Sequence, residues 1–92
     1  MNNILIWGSG SQARIIESMV DELYPTFKIT NIFDPLNEYP SFKTGINFSN
    51  KSEELINIIS NVTHFIVCIG SSGYARFKVA KELKKHKLDP LS

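Results

Sequence analysis

The sequence predicts an α/β domain of three layers, with helices on both faces of a parallel sheet of about four or five strands. Short apolar segments that end at glycine or aspartate alternate with segments in which apolar residues recur at helical spacing. The strand segments are largely apolar throughout, which is typical of strands that helices cover on both faces. The 92 residues are enough for one domain of this kind.

The first part of the chain predicts a strand–helix–strand unit. A short apolar strand over residues 3–7 is followed by a helix over residues 12–24, which Pro25 ends. A second strand follows over residues 27–33 and closes at Asp34. The inward face of the helix is predicted from its apolar residues, which are Ile15, Ile16, Met19, Val20 and Leu23.

A second helix is predicted after an irregular segment, residues 35–49, that has room for a short extended piece near residues 46–48. Asn50, with Glu53 three residues on, resembles a capping box that opens a helix over residues 51–60. The apolar residues predicted to face inward on this helix are Leu55, Ile56, Ile58 and Ile59.

The last part of the chain predicts another strand and helix. Residues 64–69 are a buried strand, and residues 73–86 are a helix with its lysines outward. The helix residues predicted to face inward are Ala75, Val79, Ala80 and Leu83. Residues 88–92 have the composition to begin a further strand. Strands that alternate with helices in this way predict a Rossmann-like fold.

The turn after the first strand carries the pattern Gly8-x-Gly10-x-x-Ala13. Gly8 permits a tight turn, Gly10 leaves room for a phosphate beside the backbone, and Ala13 lets the helix pack close to the sheet. The helix N-terminus offers free N–H groups to an anion. Asp34 ends the second strand, where an acidic residue binds a ribose or a base edge. These residues predict a nucleotide-type ligand, although a tight turn alone also favours glycines.

A second glycine loop, residues 70–73, follows the strand over residues 64–69. Gly70, Ser71 and Ser72 are predicted to lie beside the first loop and to close the far side of the same pocket. A plain tight turn, with a serine that caps the last helix, explains the loop equally well. Arg76 lies one turn into that helix, within reach either of a phosphate or of solvent.

Charge and composition exclude several classes of protein. The formal net charge of +1 argues against a dedicated nucleic-acid binder. No signal peptide is recognisable, and no run approaches the ~20 apolar residues of a membrane span, so we expect a cytoplasmic protein without membrane insertion. Cys68 is the single cysteine, and no Cys/His cluster suits a metal. His64 and His86 lack a partner at motif spacing, so neither is predicted to be catalytic.

Several of these segments resemble a known family. Residues 3–14 resemble the opening of the PglD/NeuD-like sugar acyltransferases, and residues 32–34 and 65–70, followed by Arg76, resemble later blocks of that family. Residues 87–92 are similar to the linker that precedes the family's second domain. The resemblance implies that residues 1–92 are a single N-terminal, Rossmann-like domain of a larger acyltransferase.

What the resemblance implies about activity is specific. In the family this domain binds the nucleotide sugar, such as a UDP-sugar, or the sugar substrate. A trimeric left-handed β-helix domain binds acetyl-CoA and supplies a catalytic histidine, the general base that deprotonates a sugar amine or hydroxyl. The complete protein is therefore expected to be a homotrimer that acts in surface-glycan or polysaccharide biosynthesis. No catalytic residue, cofactor or metal is expected within these 92 residues.

The residues expected to bind substrate follow from the loops and the resemblance together. The group expected to face the diphosphate comprises Gly8, Ser9, Gly10, Ser11 and Gln12. Asp34 is expected to face the base or the ribose, and Gly70, Ser71 and Ser72 form the far wall, with Arg76 near a phosphate. The family usually has Gly-Gly-His where this chain has residues 10–12, a departure that bears on the choice of sugar.

Two other functions fit the same residues. One is a stand-alone NAD(P)- or nucleotide-binding regulatory domain without catalysis, with Asp34 on the adenosine ribose. The other is an interaction module whose pocket is vestigial and empty. Titration with UDP-sugars and with NAD separates the three hypotheses.

Overall fold

The structure, a computed structural model, describes residues 2–8, 11–36, 46–68 and 73–90, and within these it describes no side chains for residues 11–14 and 73–76. The elements in chain order are β1 (Asn2–Trp7), α1 (Ser11–Leu23), β2 (Phe27–Phe33), β3 (Asn47–Ser49), α2 (Ser52–Ser60), β4 (His64–Val67), α3 (Gly73–Lys85) and β5 (Asp89–Pro90). The predicted α/β, Rossmann-like fold is confirmed, and most element bounds agree with the predicted ones within one or two residues.

All five strands of the sheet are parallel, in the order β3-β2-β1-β4-β5. The chain builds outward from β1 through β2 to β3, then crosses back to place β4 on the other side of β1. The strand order therefore reverses between β1 and β4. In open α/β sheets, ligands bind at such a reversal, outside the carboxyl ends of the strands.

The sheet separates two apolar clusters. On one face, α1 contributes Val20 to a cluster with Ile4 and Ile6 of β1. On the other face, Leu5 of β1 packs with buried residues of β4 and of the α2 and α3 segments, including Leu83. Alternate residues of β1 thus enter opposite clusters, and none of the three is exposed to solvent. This is the burial expected of the central strand of a three-layer domain.

A bulge in β2 changes which residues face each cluster. Ile4 pairs with Ile29, but the next residue, Leu5, pairs with Asn31, so Thr30 is an extra residue without a partner in β1. Ile29 and Ile32 are three positions apart and would face opposite sides of a regular strand, but the bulge places both in the same cluster. The bulge places Asn31 on the face of the sheet that α2 covers.

The start of α2 differs from the predicted one. The helix begins at Ser52, its N-cap residue is Lys51, and no side chain caps it. Asn50 therefore lies too far before the helix to cap it, and the predicted Asn50–Glu53 capping box is wrong. Instead Ser49 accepts a hydrogen bond from the Lys51 N–H (3.3 Å) and its hydroxyl donates to Glu54 Oε1 (2.8 Å).

The buried faces of the helices are narrower than predicted. On α1, Ile15, Met19 and Leu23 are 60%, 47% and 61% exposed, and on α2 Ile56 is 62% exposed. The prediction that these four side chains face inward is wrong, because about half or more of each is exposed to solvent. The predicted inward residues that do pack against the two clusters are Ile16, Val20, Leu55, Ile58, Ile59, Val79, Ala80 and Leu83. Ala75 lies outside the described side chains.

The C-terminus of α3 ends in a Schellman motif. The Leu88 N–H donates to the Leu83 carbonyl (3.4 Å) and the Lys87 N–H donates to the Lys84 carbonyl (3.0 Å). Lys87 adopts the left-handed conformation, with φ of 67°, which the motif requires at this position. Leu88 and Leu83 are both buried in the same apolar cluster. The motif directs the chain into β5, the further strand predicted near the end of the sequence.

Candidate functional site

The carboxyl ends of four neighbouring strands meet at one edge of the sheet. Their last residues are joined by three backbone hydrogen bonds, from Gly8 N–H to Phe33 O (2.8 Å), from Cys68 N–H to Trp7 O (2.8 Å) and from Asp34 N–H to Ser49 O (3.0 Å). These bonds continue the sheet by one residue beyond β1, β2 and β4. Gly8 and Asp34, predicted from distant parts of the sequence, are thereby brought to the same edge.

Gly8 is in a conformation that only glycine adopts without strain. Its φ is +115°, and a Cβ atom at this position would lie 2.5 Å from the carbonyl oxygen of Cys68. The backbone at Gly8 therefore packs directly against Cys68 at the end of β4, where the strand order reverses. Both the backbone angle and the close approach to Cys68 exclude any side chain here.

The N-terminus of α1 follows this turn directly. The helix begins at Ser11, three residues after Gly8, which places its first turn within about 11 Å of the turn. The first N–H groups of a helix have no partners within the helix and carry a partial positive charge, so they favour an anion. Ser9 and Gly10 lie outside the described residues, as do the side chains of Ser11 and Gln12.

Asp34 is a buried carboxylate at the end of β2, with 7% of its surface exposed. Its Oδ1 atom accepts a hydrogen bond from the Leu36 N–H at 3.0 Å, which closes a turn over Pro35. The N–H of Gly8 donates to the carbonyl of Phe33, the residue immediately before Asp34. The backbones of Gly8 and Asp34 therefore lie close together. The carboxylate is thus buried and held by the turn over Pro35, at the end of β2.

The second predicted loop is not described: Gly70, Ser71 and Ser72 lie outside the described residues. Arg76 is the fourth residue of α3, so its backbone lies in the first turn of that helix, but its side chain is not described. The predicted far wall of the pocket therefore stays a prediction.

The aromatic residues near the edge belong to the core. The ring of Trp7 lies 4.7 Å from that of Phe33, between centroids, at an angle of 56°. Trp7 packs against the α2–α3 cluster, and Phe48 packs against the α1 cluster. The sequence leaves open whether Trp7 is a core residue or a wall of the ligand pocket, and these contacts favour the core. For Tyr39 and Phe42, the sequence leaves open a cover over the ligand, a subunit contact or a small cluster under a loop, and both lie outside the described residues.

Neither histidine lies at this edge. His64 begins β4, at the opposite end of the strand, where its Nδ1 is 2.7 Å from the hydroxyl of Thr63. His86 follows the end of α3, exposed and 3.9 Å from Glu82. Within the described residues, no three His, Cys, Asp or Glu side chains are placed to hold a metal. The described part of the carboxyl edge thus offers the first N–H groups of α1 and the carboxylate of Asp34, and it contains no histidine.

A second group of polar residues forms a cavity that the sequence did not predict. Residues from β2, β3 and α2 line a cavity of about 270 Å³, among them Asn31, Asn47, Ser49, Glu54 and Asn57. The available signal was the polar Asn31, which interrupts the alternation of apolar residues in β2. Its position relative to Asn47 depends on strand pairing, which the local sequence does not reveal.

A membrane span is not found: no helix in the described ranges is long and apolar enough to cross a bilayer.

Comparison with known proteins identifies the family. Residues 3–83 match the family model described as the PglD N-terminal domain, which covers most of the chain. No curated protein matches the chain in a sequence search. The matched range contains both glycine loops, Asp34 and most of α3, and it starts one residue into β1. The Rossmann-like sheet, the strained glycine turn and the match over residues 3–83 agree, and the chain belongs to the family of PglD N-terminal domains.

Proposed function

We propose that this chain is the substrate-binding domain of an acetyl-CoA-dependent sugar acetyltransferase, and that it binds a nucleotide sugar, such as a UDP-sugar, used in surface-glycan or polysaccharide biosynthesis. Family membership supports the acyltransferase context. The main support for a nucleotide-sugar ligand is the carboxyl edge of the sheet, where Gly8 at φ of +115° lies close to the buried Asp34. Such an edge suits a phosphate and a ribose or base together.

The proposed contacts follow the geometry of the edge. The diphosphate lies over the turn at Gly8, Ser9 and Gly10 and against the first turn of α1, where the backbone N–H groups of Ser11 and Gln12 face it. The carboxylate of Asp34 accepts hydrogen bonds from the ribose or the base. The far wall is formed by Gly70, Ser71 and Ser72, with Arg76 near a phosphate.

The chemical step belongs to a second domain in this proposal. A left-handed β-helix domain of a cytoplasmic homotrimer would bind acetyl-CoA and supply the histidine that deprotonates the sugar amine or hydroxyl. The N-terminal domain binds and orients the nucleotide sugar. We accordingly propose that this chain alone does not transfer an acetyl group.

Calorimetric titration with UDP-N-acetylglucosamine, UDP and NAD tests the proposal. We expect the UDP compounds to bind and NAD to bind more weakly or not at all. Asp34→Asn keeps the oxygen that accepts from the Leu36 N–H, so it preserves the turn while it removes the charge. We expect this variant to bind about tenfold more weakly, a loss of about 1.4 kcal/mol. Asp21→Asn, an exposed aspartate on α1, is the matched control and should bind as the parent does.

A dinucleotide-binding regulatory domain is the second candidate. The observation in its favour is Asp34 at the end of β2, which is where an acidic residue binds the adenosine ribose in dinucleotide-binding folds. NAD binding without UDP binding would establish this candidate and exclude the first. Absence of binding by all three compounds would leave an interaction module.

A further inference from the structure

The polar cavity that the sequence did not predict lies beside the carboxyl edge, which it meets at Ser49. It has a volume of about 270 Å³ and opens between α2 and the β2–β3 side of the sheet. Its polar residues are Asn31 and Asn47 on the strands, Ser49 at the end of β3, and Glu54 and Asn57 on α2. Ile58 adds an apolar contact.

The floor of the cavity is a pair of asparagines. Asn31 of β2 and Asn47 of β3 are direct partners in the parallel ladder, so their side chains lie on the same face. The bulge at Thr30 turns Asn31 toward α2. A half-buried carboxamide in the middle of a parallel strand is unusual, because such strands are normally apolar on both faces.

The carboxamide groups of this floor have hydrogen-bonding capacity to spare. The Asn31 Oδ1 accepts from the hydroxyl of Thr30 at 2.9 Å, and the Asn31 amide NH₂ has no partner among the described residues. The side chain of Asn47 has no hydrogen-bond partner among the residues described either. Asn31 is half-buried and Asn47 is exposed, so both groups are open to water or to a ligand.

The wall of the cavity comes from α2. Glu54 and Asn57 are three residues apart and therefore lie on the same side of the helix. The hydroxyl of Ser49 donates to Glu54 Oε1 at 2.8 Å, which fixes the carboxylate against the end of β3. In the described part of the chain, the side-chain amide of Asn57 makes no hydrogen bond, whereas its backbone carbonyl accepts two.

The chemistry of these groups restricts the ligand. Each of the three carboxamides both donates and accepts hydrogen bonds, and the carboxylate accepts them. Among the described residues that line the cavity there is no cationic side chain, and Glu54 is the single charge, so an anion is disfavoured. One carboxylate is a weak donor set for Ca²⁺, which takes about six to eight oxygens and typically several carboxylates. The cavity is smaller than the ~300–1,000 Å³ of a pocket for a drug-sized molecule.

Adjacent hydroxyl groups of a sugar or cyclitol match this pattern, because each hydroxyl also donates and accepts. We propose that the cavity between α2 and the β2–β3 side of the sheet binds a neutral polyhydroxylated molecule of monosaccharide size. The cavity meets the carboxyl edge at Ser49, whose carbonyl accepts from the Asp34 N–H. It extends from there to Asn31, which lies two residues before the end of β2, about 7 Å down the strand. It does not depend on the function proposed for that edge.

Titration of the ¹⁵N-labelled chain with myo-inositol and with D-glucose, followed by NMR, tests the site. We expect the side-chain NH₂ signals of Asn31, Asn47 and Asn57 to shift together along one saturable curve. The affinity expected of a small, partly open site is a Kd on the order of 1 mM. The signal of Gly8, which does not line the cavity, should stay in place, whereas a UDP-sugar should move it and leave the asparagine signals unchanged.

Three variants distinguish polyol binding in the cavity from general effects of a substitution on the protein. Asn57→Ala removes an exposed amide from the wall and should weaken polyol binding about tenfold. Glu54→Gln retains an acceptor for the Ser49 hydroxyl, so it should change the affinity for a neutral ligand by less than about threefold. Asn2→Ala removes an exposed asparagine at the opposite end of the sheet and should have no effect.

Several outcomes would overturn the proposal. It fails if neither polyol gives a saturable shift, or if Asn57→Ala and Asn2→Ala bind the polyols equally well. It also fails if inorganic phosphate or Ca²⁺ moves the same asparagine signals at lower concentration than the polyols do. A large loss of polyol affinity in Glu54→Gln would contradict the expectation that an amide serves the site as well as the carboxylate does.

Discussion

Gly8 is the residue on which the candidate binding edge depends most directly. Its φ is positive, and only 2.5 Å would separate a Cβ atom at this position from the Cys68 carbonyl oxygen, so each of the two features alone excludes a side chain. The same residue follows the central strand, so distortion there is transmitted to β4. A substitution at Gly8 is therefore expected to change both the stability of the domain and the proposed ligand site.

Gly8→Ala is predicted to lower the free energy of unfolding by about 3 kcal/mol. Backbone strain contributes about 1–3 kcal/mol and the clash with Cys68 a similar amount. Urea denaturation followed by circular dichroism measures the change. Ser18→Ala, at an exposed site in α1, is the control and should change stability by less than about 0.5 kcal/mol. Equal stability of the two variants would contradict the described turn.

Single residues were predictable where a local pattern carries the information. The glycine turn and Asp34 were predicted from spacing along the chain, and the structure places both at the carboxyl edge. The role of Asn31 was not predictable, because the bulge that turns it toward α2 is visible only in the pairing of β2 with β1. A one-residue change in register moves every following side chain to the other face.

Helix α3 ends in a motif in which Lys87 has a backbone conformation that is unfavourable for lysine. The Schellman motif needs a left-handed residue, and this chain uses Lys87 where glycine is most common. The two hydrogen bonds of the motif and the buried contact between Leu83 and Leu88 hold the lysine in that conformation. A residue that adopts this conformation more easily than Lys87 is therefore expected to stabilise the end of α3.

Lys87→Gly is predicted to raise the free energy of unfolding by about 1 kcal/mol, because glycine adopts the left-handed conformation without the steric cost of a Cβ atom. Thermal denaturation measures the increase. Lys81→Gly, in the middle of the same helix, removes the same side chain and should lower stability by about 1 kcal/mol. The opposite signs distinguish the motif from loss of a lysine charge.

The first helix was predicted correctly as an element, but the width of its buried face was not. Apolar periodicity gives the direction of a helix face, whereas the number of side chains that are buried depends on what lies opposite them. On α1, Val20 is buried while Met19 and Leu23 remain about half exposed. No local signal in the sequence separates these two groups.

Val20→Ala is predicted to lower the free energy of unfolding by about 2 kcal/mol, since it leaves a cavity between α1 and β1. Met19→Ala should cost less than about 1 kcal/mol, because 47% of that residue is already exposed. Urea denaturation of both variants gives the comparison. A larger cost for Met19→Ala than for Val20→Ala would be inconsistent with the described packing of α1.

At the scale of the whole molecule, element order and parallel direction followed from the sequence, because alternating strands and helices permit few topologies. The polar cavity did not follow, because it is assembled from β2, β3 and α2 by contacts between distant segments. The two candidate sites thus differ in origin. The carboxyl edge is a property of the fold class, and the cavity is a property of this sequence.

Binding at the carboxyl edge is predicted to stabilise the whole domain, because the ligand joins segments that follow β1 and β2. A UDP-sugar at about 100 times its Kd should add about 2.7 kcal/mol to the free energy of unfolding. For a domain of this size, that corresponds to a rise in Tm of roughly 10 °C or more. Differential scanning calorimetry measures the shift, and Asp34→Asn at the same ligand concentration should show a smaller one.

The central position of β1 has a consequence for the order of events during synthesis. One edge of β1 pairs with β2, which follows soon after it in the chain. Thr63, the residue just before β4, lies 60 residues beyond its partner Asn3. At the usual speed of a ribosome those residues take roughly 3–12 s to make. The nascent chain therefore carries an apolar strand with one open edge for that time, and the first strand of the sheet to be synthesised is among the last to be enclosed.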